Sequence, residues 1–123
     1  MNDFKALLEK NKAPLQRGRF ETLQINVGRK CNQTCTHCHV DAGPTRTEMM
    51  DEETAHKVGA WIIEHKPAIV DITGGAPEIS EFFDYFVKIA RSVGSHVIDR
   101  NNLTIIETKK YAYLPEFLAK HQV

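Results

Sequence analysis

The chain has no cysteine outside one short window, no excess of either charge and no long apolar run. Each absence excludes something. Sixteen Lys and Arg balance sixteen Asp and Glu, for a formal net charge of +0. No electrostatic field therefore argues for nucleic acid or an anionic membrane as partner. The longest apolar runs are short, such as Trp61-Ile62-Ile63, far from the roughly 20 residues that cross a bilayer. The opening MNDFKALLEKNK lacks the continuous apolar core of a secretory signal, so the expected compartment is cytoplasmic. No repeat at a solenoid period and no low-complexity tract is present. What remains is a 123-residue chain, 41% hydrophobic and 26% charged, with the composition of one small globular fold. Three cysteines between positions 31 and 38 make a poor disulfide framework. In a reducing compartment such a group points to metal or redox chemistry.

The apolar pattern alternates between two periods. Phe4, Leu7 and Leu8 have helical spacing. Leu23, Ile25 and Val27 in TLQINVG (22–28) alternate, as a strand does. A long irregular stretch, 28–50, carries the cysteines, and a loop of that length is usually functional or disordered. Asp51 reads as an N-cap followed by Glu52 and Glu53 in the first turn of a helix. Ala55, Val58, Gly59 and Ile62 form its inner stripe, and it stops before Pro67. AIVDITGG (68–75) predicts a second strand. Ser80 is expected to cap a second helix with Phe83, Phe86, Val87 and Ala90 inward and Gly94 at its end. A third strand is expected within 95–106, with Leu103 to Ile106 continuing or bulging. LPEFLAKHQV predicts a third helix, with Pro115 in its first turn and Phe117 and Leu118 buried. Trp61 and the helically spaced phenylalanines read as core.

Strand and helix alternate three times. That pattern predicts an α/β fold of three parallel βα units joined by right-handed crossovers. In such folds chemistry gathers at the C-terminal ends of the strands. The cysteine loop follows the first strand and TGGAPE follows the second, so both are expected on one rim.

The cysteine stretch CNQTCTHCHV (31–40) has three metal readings. CTHCH from Cys35 matches a c-type haem attachment motif, with His39 as axial ligand and Met49 or Met50 as a distal candidate, but it leaves Cys31 unused. Three thiolates with His37 or His39 suit zinc, although structural zinc sites usually join two separated ligand clusters. Read from Cys31, C-x3-C-x2-C supplies three ligands to an iron–sulfur cluster and leaves one iron open.

CNQTCTHC after a first strand, with TGGAPE after a second, resembles the radical S-adenosylmethionine (SAM) enzymes. The longer run ETLQINVGRKCNQTCTHCHVDAGPTRTEMM, with DITGGAPE and IDRNNLTII, is most similar to the arsenosugar biosynthesis radical SAM family. The resemblance implies a 4Fe-4S cluster on Cys31, Cys35 and Cys38, with SAM chelated by the open iron and cleaved to a 5′-deoxyadenosyl radical. It implies cofactor contacts from Gly74, Gly75, Ala76, Pro77 and Glu78, from His37 beside the third cysteine, and from Arg100 and Asn102 toward the SAM carboxylate. It further implies an electron donor such as flavodoxin or ferredoxin. The implied substrate is a small molecule, a dimethylated trivalent arsenic compound in the specific family.

The chain departs from that pattern in three places. Ala76 stands where many superfamily members have glutamate. Asn101 stands where a cysteine is expected. The superfamily core resembles a partial barrel of six βα units, of which only three are expected here. The organisation implied is an N-terminal helix and lead-in, 1–22, before a truncated radical SAM core, 23–123. A non-catalytic remnant that binds a cluster or zinc is the alternative. His56, His65, His96 and His121 are expected in surface roles. Asn26 and Asp71 are expected near the rim, where Asp71 either orients SAM or pairs with Arg100.

Overall fold

The computed structural model describes residues 3–123. Strands β1 (Thr22–Asn26), β2 (Ile69–Thr73) and β3 (His96–Asp99) form one parallel sheet in the order β1-β2-β3. Between them run helices α2 (Glu52–His65) and α3 (Phe83–Ser92). Helix α1 (Asp3–Lys10) precedes the sheet and α4 (Leu114–His121) follows it. The chain is thus an α/β fold of three βα units, as the alternating periods predicted.

The register decides which residues share a face. Gln24 lies beside Asp71 and Asp71 beside Ile98, while Ile25 lies beside Ile72 and Ile72 beside Asp99. Successive side chains point to opposite faces. Ile25, Val70, Ile72 and Val97 join Ile62 of α2 and Phe83, Phe86 and Val87 of α3 in one core. Burying these side chains is the main favourable term in the fold, on the order of 1.5–3 kcal/mol for each. The rows holding Gln24, Asp71 and Arg100 fall between those buried rows. The sheet therefore has one apolar face under helices and a more polar second face.

Helix α2 begins where the sequence predicts, since Asp51 Oδ1 accepts from Thr54 N at 2.8 Å. Ala55, Gly59 and Ile62 are buried, with Val58 packed at the edge. Gly59 is there for space, because a Cβ would collide with the Tyr85 hydroxyl of α3.

Four local expectations are corrected. Ser80 does not cap α3. Pro77–Ile79 form a 3-10 turn that ends at Ser80, whose Oγ accepts from Phe82 N at 3.2 Å. Helix α3 starts beyond this turn at Phe83, with Phe82 at its N-cap position and no side-chain cap bond. Leu103 to Ile106 neither extends β3 nor forms a β-bulge: Thr104–Glu107 is a 3-10 turn, because Asn102 Oδ1 accepts from the N–H groups of Thr104 and Ile105. In α4 it is Leu114 that is buried, with Phe117 and Leu118 only half-buried. Trp61 is also only half-buried, stacked on His65 and meeting Phe20 edge-on.

Candidate functional site

The stretch from Gly28 to Met50 is irregular but tied down by backbone bonds. Gly28 and Met49 form an antiparallel bridge, and Lys30 and Gly43 a parallel one. Cys31 N donates to Gly43 O at 3.2 Å and Gly43 N to Arg29 O at 3.0 Å. Met50 N returns to Val27 O at 3.0 Å, which brings the loop back to the end of β1 and places Asp51 at the start of α2.

The glycine run after β2 leans on this loop. Gly75 N donates to Gly28 O and Ala76 N to Lys30 O, both at 3.0 Å. Gly74 has φ +145°, a conformation that favours glycine, and a Cβ on it would lie 2.7 Å from Gly28 O. A Cβ on Gly75 would run into the Lys30 carbonyl oxygen. The two rim loops therefore touch backbone to backbone, and the N–H groups of Gly75 and Ala76 are spent on that contact. The Ala76 carbonyl accepts from Ile79 N at 3.0 Å, so the carbonyls of Gly74 and Gly75 are the acceptors without a backbone donor among the described residues.

A cavity of about 390 Å³ opens where these loops meet. It is lined by all three cysteines, by His37 and His39, and by Gly75, Arg100 and Asn102. Residues from the ends of all three strands are thus gathered at one place. Cys31 is buried, Cys38 half-buried and Cys35 exposed. Cys31 Sγ accepts from Gln33 N at 3.5 Å and from Asn102 Nδ2 at 3.6 Å, and Cys38 Sγ accepts from Ala42 N at 3.3 Å. The amides of Ala42 and then Val40 hold the Cys38 thiol below its ordinary value, against a smaller opposing effect of burial. N–H groups aimed at sulfur suit a metal-bound thiolate.

Among the described residues, no three or more His, Cys, Asp or Glu converge closely enough to hold a single metal ion. Tetrahedral zinc asks for that convergence. An iron–sulfur cluster asks less, since each cysteine takes a different iron across a body of several atoms. Three thiols around one cavity, with amides facing two of the sulfurs, fit the larger group.

The other expected site residues are placed as follows. Arg100 lines the cavity but also holds Asp71, its Nε and Nη2 donating to the two carboxylate oxygens at 2.9 and 2.7 Å. Gln24 Nε2 donates to the same carboxylate at 3.1 Å. The Arg100 hydrogen bonds, chiefly, hold Asp71 below the usual carboxylate range. Asn26 Oδ1 accepts from Gly28 N at 3.0 Å and shapes the turn out of β1. Asn102 is engaged with Asn32, Thr104 and Ile105. Ala76, Pro77 and Glu78 are buried, and of the glycine run Gly75 lines the cavity.

Glu78 has a different neighbour, Asp99 at the end of β3. Both Glu78 oxygens and Asp99 Oδ1 are buried without a hydrogen-bond donor among the described residues, while Asn101 Nδ2 donates to Asp99 Oδ2 at 3.2 Å. Burial first, then the Asp99 charge, pushes the Glu78 carboxyl up to about 8, and burial pushes Asp99 up as well. The pair keeps a proton near neutrality, because two adjacent buried carboxylates cannot both ionise cheaply. The sequence reading missed Asp99 and the loop residues Asn32 and Thr104. Asp99 belongs to the apolar row of the sheet and should be hydrophobic by alternation, which is the one signal that marks it.

No family model matches the chain. Over 66 residues it is 30% identical to YydG of Bacillus subtilis (strain 168), whose name assigns that protein to peptide biosynthesis. The aligned stretch is 53% of this chain and 19% of the relative, so the chain spans about a fifth of the curated protein it matches. No helix among the described residues is long and apolar enough to cross a membrane.

Proposed function

We propose that the chain is the cluster-binding part of a radical SAM enzyme, its three βα units corresponding to the first half of a partial barrel. The supporting observation is the gathering of Cys31, Cys35 and Cys38 around one cavity beside Gly75 and Arg100. In this reading the three cysteines hold a 4Fe-4S cluster. Bound together, cluster and SAM supply one-electron cleavage of a carbon–sulfur bond and a carbon radical. The chain's own residues do the rest. The carbonyls of the glycine turn accept from an ammonium group, and Arg100, oriented by Asp71, faces a carboxylate. His37 lies at the mouth, where a ring can pack on a base. The sheet's polar face, carrying Gln24 and Asp71, turns toward the space where a substrate is held.

The substrate class has two readings. Resemblance of the loop and of IDRNNLTII favours a dimethylated trivalent arsenic compound and arsenosugar biosynthesis. The similarity to YydG favours a peptide. An electron donor of the flavodoxin or ferredoxin kind completes either cycle.

Anaerobic reconstitution with iron and sulfide tests the assignment. A broad visible absorption and an electron paramagnetic resonance signal that changes when SAM is added are expected. A cluster indifferent to SAM supports a non-catalytic remnant instead, and tight zinc without iron uptake or covalent haem in haem-replete cells overturns the cluster. Release of 5′-deoxyadenosine under reduction, with a dimethylarsenical or with a peptide as acceptor, separates the two substrate readings.

A further inference from the structure

Three side chains from two distant parts of the sequence, Asn32 on one and Asn102 and Thr104 on the other, close a ring beside Cys31. Asn32 Nδ2 donates to Thr104 Oγ1 at 2.8 Å, Thr104 Oγ1 donates to Asn102 Oδ1 at 3.1 Å, and Asn102 Nδ2 donates to Asn32 Oδ1 at 2.7 Å. The orientation of the Asn102 amide is fixed by its partners. Its oxygen also accepts from Thr104 N at 3.0 Å and Ile105 N at 3.1 Å, so its nitrogen must face the other way. That nitrogen points at Asn32 and lies 3.6 Å from Cys31 Sγ. The neighbouring Leu103 is held at φ +62°, an uncommon conformation for a leucine. Such a residue persists where its surroundings over-determine it. The loop after β3 is therefore built to present Asn102 to the cysteine loop.

We infer that Asn102 is a positioning residue for the cysteine centre: it locks the Cys31 side of the loop to the end of β3 and sets the electron affinity of whatever Cys31 ligates. The inference deepens the cluster reading and rests on it. The three cysteines are unequally held. Cys35 is exposed, whereas Cys31 is buried and receives both the Gln33 amide and the Asn102 amide. An N–H directed at a ligand sulfur stabilises negative charge there. A reduced cluster carries one electron more, so it gains most from the donor, and the reduction potential rises. The backbone N–H of Gln33 is removed only by proline, which would also reshape the loop, so it cannot be varied on its own. Asn102 can, and it is the loop's control point.

Two variants of the full 123-residue chain test this. Asn102→Asp keeps the oxygen that accepts from Thr104 and Ile105 and removes the donor to Cys31 and Asn32, but its carboxylate charge lowers the potential by itself, so Asn102→Ala, which loses the donor without gaining a charge, gives the electronic readout. Reconstituted with iron and sulfide, both variants are expected to keep the wild-type iron content and to be reduced at a more negative potential, the Asp variant the more so. Loss of one donor to a charged acceptor makes the reduction equilibrium roughly tenfold less favourable, which is about 59 mV for a one-electron couple. Asn102→Ala opens the ring. In the metal-free chain it is expected to raise native-state alkylation of Cys31 several-fold by mass spectrometry, with Cys35 as the unchanged internal control and circular dichroism reporting the fold. An unchanged potential in the Ala variant overturns the electronic part. Unchanged Cys31 labelling in the Ala variant, or equal increases at Cys31 and Cys35, overturns the positioning part. If the wild-type chain takes up no iron, the cluster reading fails, while the labelling result still decides whether Asn102 positions Cys31.

Discussion

Arg100 and Asp71 form a two-pronged ion pair across the polar face of the sheet, one partner exposed and the other buried. The Asp71 side chain is 6% exposed and that of Arg100 57%. Gln24 is the other donor to this carboxylate among the described side chains. The pair joins β1, β2 and the end of β3 on the side away from the helices.

Removing Arg100 leaves a buried carboxylate with Gln24 alone. Arg100→Ala is expected to lower stability in urea unfolding at neutral pH by more than Arg46→Ala does, since Arg46 pairs with exposed carboxylates. The sign with pH follows from Asp71. Its carboxyl is held low in the folded chain, so its contribution is present above the unfolded carboxylate value and disappears as pH falls through the folded one. Acid should therefore destabilise the wild type more than it does Asp71→Asn, and equal acid profiles would remove Asp71 from this role.

Glu78 carries the opposite sign. Its folded pKa is raised to about 8, so the folded chain keeps a proton that the unfolded chain releases. Stability attributable to this group is complete below the usual glutamate range and falls as pH rises toward about 8. Glu78→Gln supplies an amide N–H to Asp99 in place of the carboxyl O–H and removes the titrating group. Its unfolding midpoint is expected to be flatter across that window, and higher than wild type on the alkaline side. A wild-type profile that does not decline there would contradict a retained proton.

The contact between the two rim loops depends on the absence of a side chain at Gly75. A Cβ there meets backbone, not a flexible side-chain end, so neither loop has a cheap way to move. Gly75→Ala is expected to cost about 1–3 kcal/mol or more, as overpacking does. It should also displace the cysteine loop. Urea unfolding gives the first and iron uptake the second. Gly18→Ala, with nothing near the added methyl, serves as the control.

The cysteines should behave unequally on substitution. Cys35→Ser is expected to leave stability within about 0.5 kcal/mol, as exposed changes do, and to abolish stoichiometric iron and sulfide uptake. Cys31→Ser should abolish uptake and also destabilise the apo chain, because its sulfur is buried and hydrogen-bonded. Iron analysis beside urea unfolding separates the two effects. Full iron loading of either serine variant would contradict a three-cysteine centre.

Much of this was legible in the residues. The alternation of Leu23, Ile25 and Val27, the β-branched run from Ile69 and the capped stripe from Asp51 each carry their own periodicity, so strands and helices could be read locally. The rim also followed, since parallel strands bring their C-terminal loops to one end. Ser80, by contrast, looked like a cap and became a turn residue, because its own N–H is taken by the Pro77 carbonyl in the 3-10 turn before it, and α3 starts three residues on. Leu103 to Ile106 looked strand-like, but the Asn102 side chain captures two of its amides. Trp61 looked like core by spacing, yet it lies where the sheet's edge leaves the helix uncovered.

The amino-acid sequence determined the order of elements, the identity of the thiol donors and the side of the sheet on which they lie, because these depend on spacing along one chain. Tertiary structure decided which polar groups meet, choosing the Arg100 pairing from the two roles open to Asp71 and alone bringing the other groups together. Asp71 with Arg100, Glu78 with Asp99 and Asn102 with Cys31 are pairs separated by tens of residues. Only the parallel register, and the close approach that Gly74 and Gly75 permit, bring them within hydrogen-bonding distance.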